Sequence, residues 1–189
     1  MPRIHFMQHW FTLSAPALEE AFDVPTDREL HSSKKVNQWY FGMKAYIGEV
    51  ADSGLVHTVL ATEGHVYDIN EGNSLLRGQE QVVFADADCQ GIQKRPDAKP
   101  EVLWHVVMPP SKKKALDKST AEGALLDAAE KLKAGARAKV EHPFRVIKRQ
   151  FGRVKVNYLG LKKSTEQLMT LFAPSNLWMV RSKVIGTQK

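Results

Sequence analysis

Alternation of apolar and polar positions is clearest over residues 37–50, NQWYFGMKAYIGEV. Trp39, Phe41, Met43, Ala45 and Ile47 alternate there with Tyr40, Gly42, Lys44 and Tyr46, the period of a strand. Ala51-Asp52-Ser53-Gly54 supplies a turn and residues 55–62 (LVHTVLAT) a partner strand, so an antiparallel hairpin is expected. Two short unbroken apolar runs follow. Val82-Val83-Phe84 predicts a strand buried on both faces, and residues 102–108 (VLWHVVM) predict another, closed by Pro109-Pro110.

Helical signals lie at the two ends. In residues 8–22 an aromatic pair precedes a helix start, with Ser14 as cap, Pro16 in the first turn, and Glu19 and Glu20 suited to the positive end of the dipole. Residues 23–36 are polar, lack a period and read as a linker. Asp68 predicts the cap of a helix over residues 69–78 that turns Leu75 and Leu76 inward. Residues 111–118 read as a lysine-rich loop. Ser119-Thr120-Ala121-Glu122 then opens a helix through Leu125, Leu126, Ala129 and Leu132, which Gly135 is expected to interrupt. In residues 136–151, Pro143 lacks an N–H, so a helix either starts there or kinks. Residues 153–160 read as a basic loop. Ser164-Thr165-Glu166-Gln167 is a capping box for a last apolar helix, and Pro174 within it should force a kink or cost about 3 kcal/mol.

Composition narrows the class. The 189 residues suffice for one domain with a core, and 43% apolar with 25% charged residues suits a globular protein. The one cysteine, Cys89, excludes a disulfide framework and a cysteine-rich zinc site. No apolar run reaches membrane-span length and the N-terminus lacks a signal-peptide core, so a cytoplasmic protein without a membrane partner is expected. Charge is divided: residues 1–111 carry net −6 and residues 112–189 net +12. A half so basic suits a polyanion, most simply nucleic acid, or else is a solubilising surface.

The densest candidate chemistry is RAKVEHPFRVIK, residues 137–148. If helical, it places Arg137, Glu141, Arg145 and Lys148 on one face. That pattern is either a surface ladder of ion pairs or a metal-binding carboxylate beside phosphate-binding cations. Asp86, at the end of the Val82-Val83-Phe84 strand, is a second carboxylate where open α/β sheets place ligand sites. Two such acids brought together could hold Mg²⁺, and phosphodiester chemistry usually needs a third. The seven histidines lack metal-ligand spacing, Cys89 has no neighbouring histidine, and no glycine-rich phosphate loop is present.

Five segments, in order, resemble a known family: QWYFGMKAYIG, GLVHTVLAT, VVFADADCQG, RAKVEHPFRVIKRQFG and LFAPSNLWMVR. They look like the C-terminal catalytic part of bacterial insertion-sequence DDE transposases of the insertion sequence family five kind, over residues 27–183. HWFTLSAPALEEAF resembles a piece of that family's N-terminal region, so residues 1–26 would be its remnant and residues 27–189 a partial catalytic domain. The resemblance implies a ribonuclease-H-like α/β fold with a mixed sheet, and Mg²⁺-dependent cleavage and strand transfer of transposon-end DNA. It puts the second and third family acids at Asp86 and Glu141, as the metal ligands, and DNA contacts at Arg137 and Lys148, with Arg145 beside them. Ala134 stands at the tyrosine of the family's Tyr-Arg-Glu-Lys signature. A second copy or a full-length transposase would be the protein partner.

The first family acid belongs to a strand upstream of the hairpin, and no stretch like it occurs. An internal deletion is therefore expected, removing that acid and its strand and exposing a sheet edge beside the hairpin. Asp23 and Asp27 are the nearest acids, and neither ends an apolar run of strand length. Asp88 replaces a glycine and Cys89 a tyrosine of the family pattern, and loss of the glycine should strain a turn. The expected function is DNA transposition by family, inactive in this chain. The alternative is a DNA-binding remnant without catalysis.

Overall fold

The computed structural model describes residues 3–12, 31–35, 38–153 and 160–186, with side-chain surroundings defined from Gly42 onward, Arg137 excepted. Six strands form one mixed sheet: β1 (Arg3–Thr12), β2 (His31–Lys35), β3 (Gln38–Val50), β4 (Val56–Glu63), β5 (Val82–Ala85) and β6 (Leu103–Val106). Their order is β2-β3-β1-β5-β6, with β4 also paired to β3. β1 is antiparallel to β3 and parallel to β5, and β5 is parallel to β6. The helices are α1 (Asp68–Glu71), α2 (Pro110–Lys114), α3 (Ala121–Arg149) and α4 (Leu161–Gly186).

The hairpin forms as its alternation predicts, and the turn closes through Gly54 at φ 71°, a left-handed backbone that glycine adopts freely. Both faces of β3 are covered. Met43, Ala45 and Ile47 pack with Val140, Phe144 and Ile147 of α3 and Leu168 and Phe172 of α4. On the other face Tyr46 joins Leu75, Val83, Ala85, Cys89, Ile92, Val102 and Trp104. Lys44 is therefore buried too, paired with Asp68.

The place beside the hairpin is filled. β1 runs along β3 from Ile4↔Val50 to Thr12↔Gly42, so the edge expected to be open is hydrogen-bonded. Its sequence, RIHFMQHWFT, mixes histidine and glutamine with apolar residues and was legible only as an aromatic lead-in to a helix. The helix expected over residues 14–22 lies outside the described residues, as do most of the linker positions. Residues 31–35 are not linker: they form β2, whose polar sequence HSSKK reveals no strand until it pairs with Gln38 to Gly42.

Other expectations shift for physical reasons. β5 is fully buried only at Val83 and Ala85, and β6 is an edge strand with Leu103 exposed. Tyr67, not Asp68, precedes α1, because the Asp68 carboxylate accepts hydrogen bonds from Lys44 and Tyr46 instead of capping. Residues 110–114 are the short helix α2 within the expected loop. α4 begins at Leu161, so Ser164 is buried in its first turn and Thr165 Oγ1 donates to Leu161 O rather than capping. The helix continues through Pro174, and beyond it Asn176 exchanges two hydrogen bonds with the backbone of Val56, satisfying the outer edge where β4 begins. Arg153 is 1% exposed, unlike a residue of a solvated basic loop, and residues 154–159 lie outside the described residues.

α3 is unbroken through Gly135 and Pro143. Thr120 caps it, accepting from Gly123 N. Its two glycines should respond oppositely to alanine. A Cβ on Gly135 meets nothing within 4 Å, so Gly135→Ala should stabilise the fold by about 0.5–1 kcal/mol. A Cβ on Gly123 would lie 1.9 Å from the Asp117 carbonyl oxygen, so Gly123→Ala should destabilise it by about 1–3 kcal/mol. Urea denaturation of the two variants checks both signs, and equal signs would refute the contrast.

Candidate functional site

Asp86 lies just beyond the C-terminal end of β5. Period-two alternation puts Val83 and Ala85 in the cluster away from α3, which leaves Val82, Phe84 and then Asp86 toward the α3 side. Asp86 is half-buried, and its Oδ1 accepts a 2.6 Å hydrogen bond from Ala87 N, capping the 3-10 turn Ala87–Cys89. Asp88 lies within that turn, whose residues take right-handed helical angles, so the expected strain at a lost glycine does not arise there. The left-handed backbone is at Gly91, φ 86°. Cys89 is fully buried, and burial, followed by the charges of Asp68, Asp86 and Asp88, pushes its thiol well above the ordinary range. A thiolate nucleophile is thereby disfavoured.

α3 packs across β1 and β5 and against α4. The whole segment 137–148 is helical, so Arg137, Glu141, Arg145 and Lys148 do share one helix. Glu141 and Arg145 are exposed, and Lys148 is half-buried, with burial holding its ammonium below the usual lysine range. Arg137 lies on α3, and its side chain is outside the described residues. Val140, Phe144 and Ile147 are the core face of the same stretch. The helix thus turns its apolar side to the core and leaves Glu141 and Arg145 exposed.

Sequence reasoning missed what fixes the helix. Glu130 is 3% exposed, and its carboxylate accepts from Met108 N at 2.7 Å and from Lys133 Nζ at 2.7 Å. Burial alone would raise its pKa, but these bonds outweigh burial and lower it. Lys133 also donates to Val106 O. The one available signal was the Glu130–Lys133 spacing, which on a helix usually marks a solvated pair.

The register beside Asp86 shows which residues of β1 stand next to it. β1 pairs with β5 at Arg3↔Val82, Ile4↔Val83 and His5↔Phe84, so continuing both strands brings Met7 level with Asp86. On β3, the partners of Met43, Ala45, Ile47 and Glu49 are Phe11, His9, Met7 and His5. None of these is a carboxylate, and β1 holds no acid at all. Among the described residues no three His, Cys, Asp or Glu side chains stand close enough together to hold a metal ion.

A family model described as transposase DDE domain matches residues 20–177. The chain belongs to that family. The match includes Asp86, Arg137, Glu141, Arg145 and Lys148, and begins after β1. No solved structure matches the chain. Membership in the DDE transposase family joins the chain to DNA transposition, and the family generally uses a divalent metal ion and DNA. Among the described residues no helix is long and apolar enough to cross a membrane.

Proposed function

We propose that this chain is a transposase DDE domain, of the insertion sequence family five kind, that binds DNA without cutting it. The sheet order supports a ribonuclease-H-like core: β3 is antiparallel to the central β1, and β5 and β6 are parallel to it on the far side. In this reading β1 keeps the place of the first catalytic strand and only its acid is absent. The carrying observation is the composition of β1, RIHFMQHWFT, beside Asp86.

Mg²⁺ is the ion such a domain would use, with Asp86 and Glu141 as its protein ligands. The described donors do not fit it. Asp86 spends one oxygen on Ala87 N, Glu141 is exposed on α3, and no third ligand joins them among the described residues. The cations of α3 do not depend on that ion. Arg137, Arg145 and Lys148 would hold the phosphates of transposon-end DNA by charge-assisted hydrogen bonds.

The full chain, incubated with a duplex carrying inverted-repeat ends and Mg²⁺ or Mn²⁺, should leave both strands intact. It should bind that duplex with a steep salt dependence. Glu141→Ala should bind at least as well as the natural chain, and Lys148→Ala should lower the log–log salt slope by about 0.9. Metal-dependent cleavage that disappears in Glu141→Ala would overturn the non-catalytic reading. Binding indifferent to salt would overturn the DNA reading.

A further inference from the structure

The lysine helix α2 plays no part in the site described above. The chain leaving β6 is pinned before α2 begins. Val107 N donates to Ala85 O, Gln90 Nε2 to Val107 O, and Met108 N to Glu130 Oε2. β5 and β6 are parallel with Ala85 level with Val106, so this exit lies at the sheet end that carries Asp86. Lys113 N then donates to Pro109 O, and Ala115 N to Ser111 O and Lys112 O, which closes the turn.

Charge pairing around α2 is selective. Asp127 holds Lys118 at 3.2 Å and Lys131 at 2.9 Å, and Glu130 holds Lys133 at 2.7 Å. Among the described residues Lys112, Lys113 and Lys114 have no ion pair, though buried acids lie on the facing helix. Lys112 and Lys114 are exposed, and Lys113 is half-buried. Lys113 and Lys114 also line an open hollow with Pro110 and Lys118. The Glu130 carboxylate attracts Lys113 without an ion-pair contact, and Lys112 and Lys114 have no acid paired with them among the described residues. An anion beside these adjacent ammonium groups would relieve their mutual repulsion.

The shape of that anion follows from α3. At about 1.5 Å per residue, the stretch from Glu130, beside the α2 anchor, to Arg145 rises about 20 Å. A stiff polyanion with closely spaced phosphates spans that distance already extended, whereas a flexible acidic segment would lose conformational entropy on being held straight along it. We propose that α2 is a second DNA-phosphate contact, in which Lys112, Lys113 and Lys114 hold duplex DNA at the Asp86 end of the sheet while Arg145 and Lys148 hold it farther along α3. This rests on the DNA-binding reading above.

The test is fluorescence anisotropy of a labelled duplex of arbitrary sequence, titrated with the full chain across a range of salt. The triple variants K112Q/K113Q/K114Q and K112R/K113R/K114R are compared, with melting followed in parallel. The glutamine variant should lose about 2–3 from the log–log salt slope, and the arginine variant should keep it. A glutamine variant with the natural slope overturns the proposal, as does an arginine variant that falls with it. A natural chain that fails to bind the duplex at low salt overturns the DNA reading and this contact together. Binding that persists while the glutamine slope is unchanged overturns only the contact.

Discussion

Lys44→Met should lower the stability of the fold by about 3–5 kcal/mol at pH 7, and by far less at pH 4. Lys44 Nζ lies 3.0 Å from Asp68 Oδ1 and 2.7 Å from Val66 O, and Tyr46 OH donates to the same Asp68 oxygen at 3.1 Å. Lys44 and Asp68 are 8% and 7% exposed, so removing the ammonium leaves a carboxylate without its cation under the sheet. Burial already pushes the Asp68 carboxyl above its ordinary 3.8, a rise that Lys44 and Tyr46 restrain and Asp88 adds to. A raised carboxyl binds its proton more tightly folded than unfolded. Its contribution is therefore fully present below the unfolded value and is lost as pH rises through the folded one. Removing Lys44 raises the folded value further and widens that window. Holding such a carboxyl protonated at pH 7 costs about 4 kcal/mol, and the lost bond from Lys44 to Val66 O adds to it. Urea denaturation at both pH values checks it, and an equal cost at both would refute the assignment. Lys44→Met/Asp68→Asn, which removes both charges, should recover most of the loss at pH 7.

This pair shows why half of the hairpin was legible and half was not. The alternation of Met43, Ala45 and Ile47 identifies the strand, because period two is local. Whether the Lys44 face meets water depends on Asp68, twenty-four residues away. β2 and β1 were hidden for a related reason. HSSKK and RIHFMQHWFT gain strand character from the hydrogen bonds that β3 offers them, not from their own pattern. α3 reversed the error. Gly135 and Pro143 are local reasons to break a helix, but Glu130 ties its first half to the exit of β6 and Phe144 ties its second half to the core.

The candidate site divides along the same line. Asp86 and the helix bearing Glu141 were legible, because a strand end and a cation-flanked acid are patterns in the chain itself. The lack of an acid-bearing strand upstream of the hairpin was read from the sequence, and β1 indeed carries no acid, but the pairing of β1 was not foreseen. Loss of the acid suggested loss of its strand and an open sheet edge. The sheet instead has a strand there, antiparallel to β3 and parallel to β5, since the backbone pairing does not require a carboxylate.

Met7→Asp tests whether the side chain alone is missing, and should create divalent-cation binding that the natural chain lacks. Met7 pairs with Ile47 and, by continuation from His5↔Phe84, stands level with Asp86. The substitution adds a carboxylate to β1 next to the strand whose end carries Asp86, and so supplies the third acid to go with Asp86 and Glu141. A cation held by the folded chain at a hundred times its dissociation constant adds about 2.7 kcal/mol. For a domain of this size that raises the melting temperature by about 5–10 °C. Mn²⁺ should therefore shift the melt of Met7→Asp and leave the natural chain and Met7→Asn unmoved. An equal shift in the natural chain would mean that its two acids already suffice, against the non-catalytic reading. A shift confined to Met7→Asp would mean that the sheet kept the place of the acid and lost only its side chain. No shift in any variant would mean that β1 preserves the pairing of the strand it replaces without preserving the geometry a metal needs.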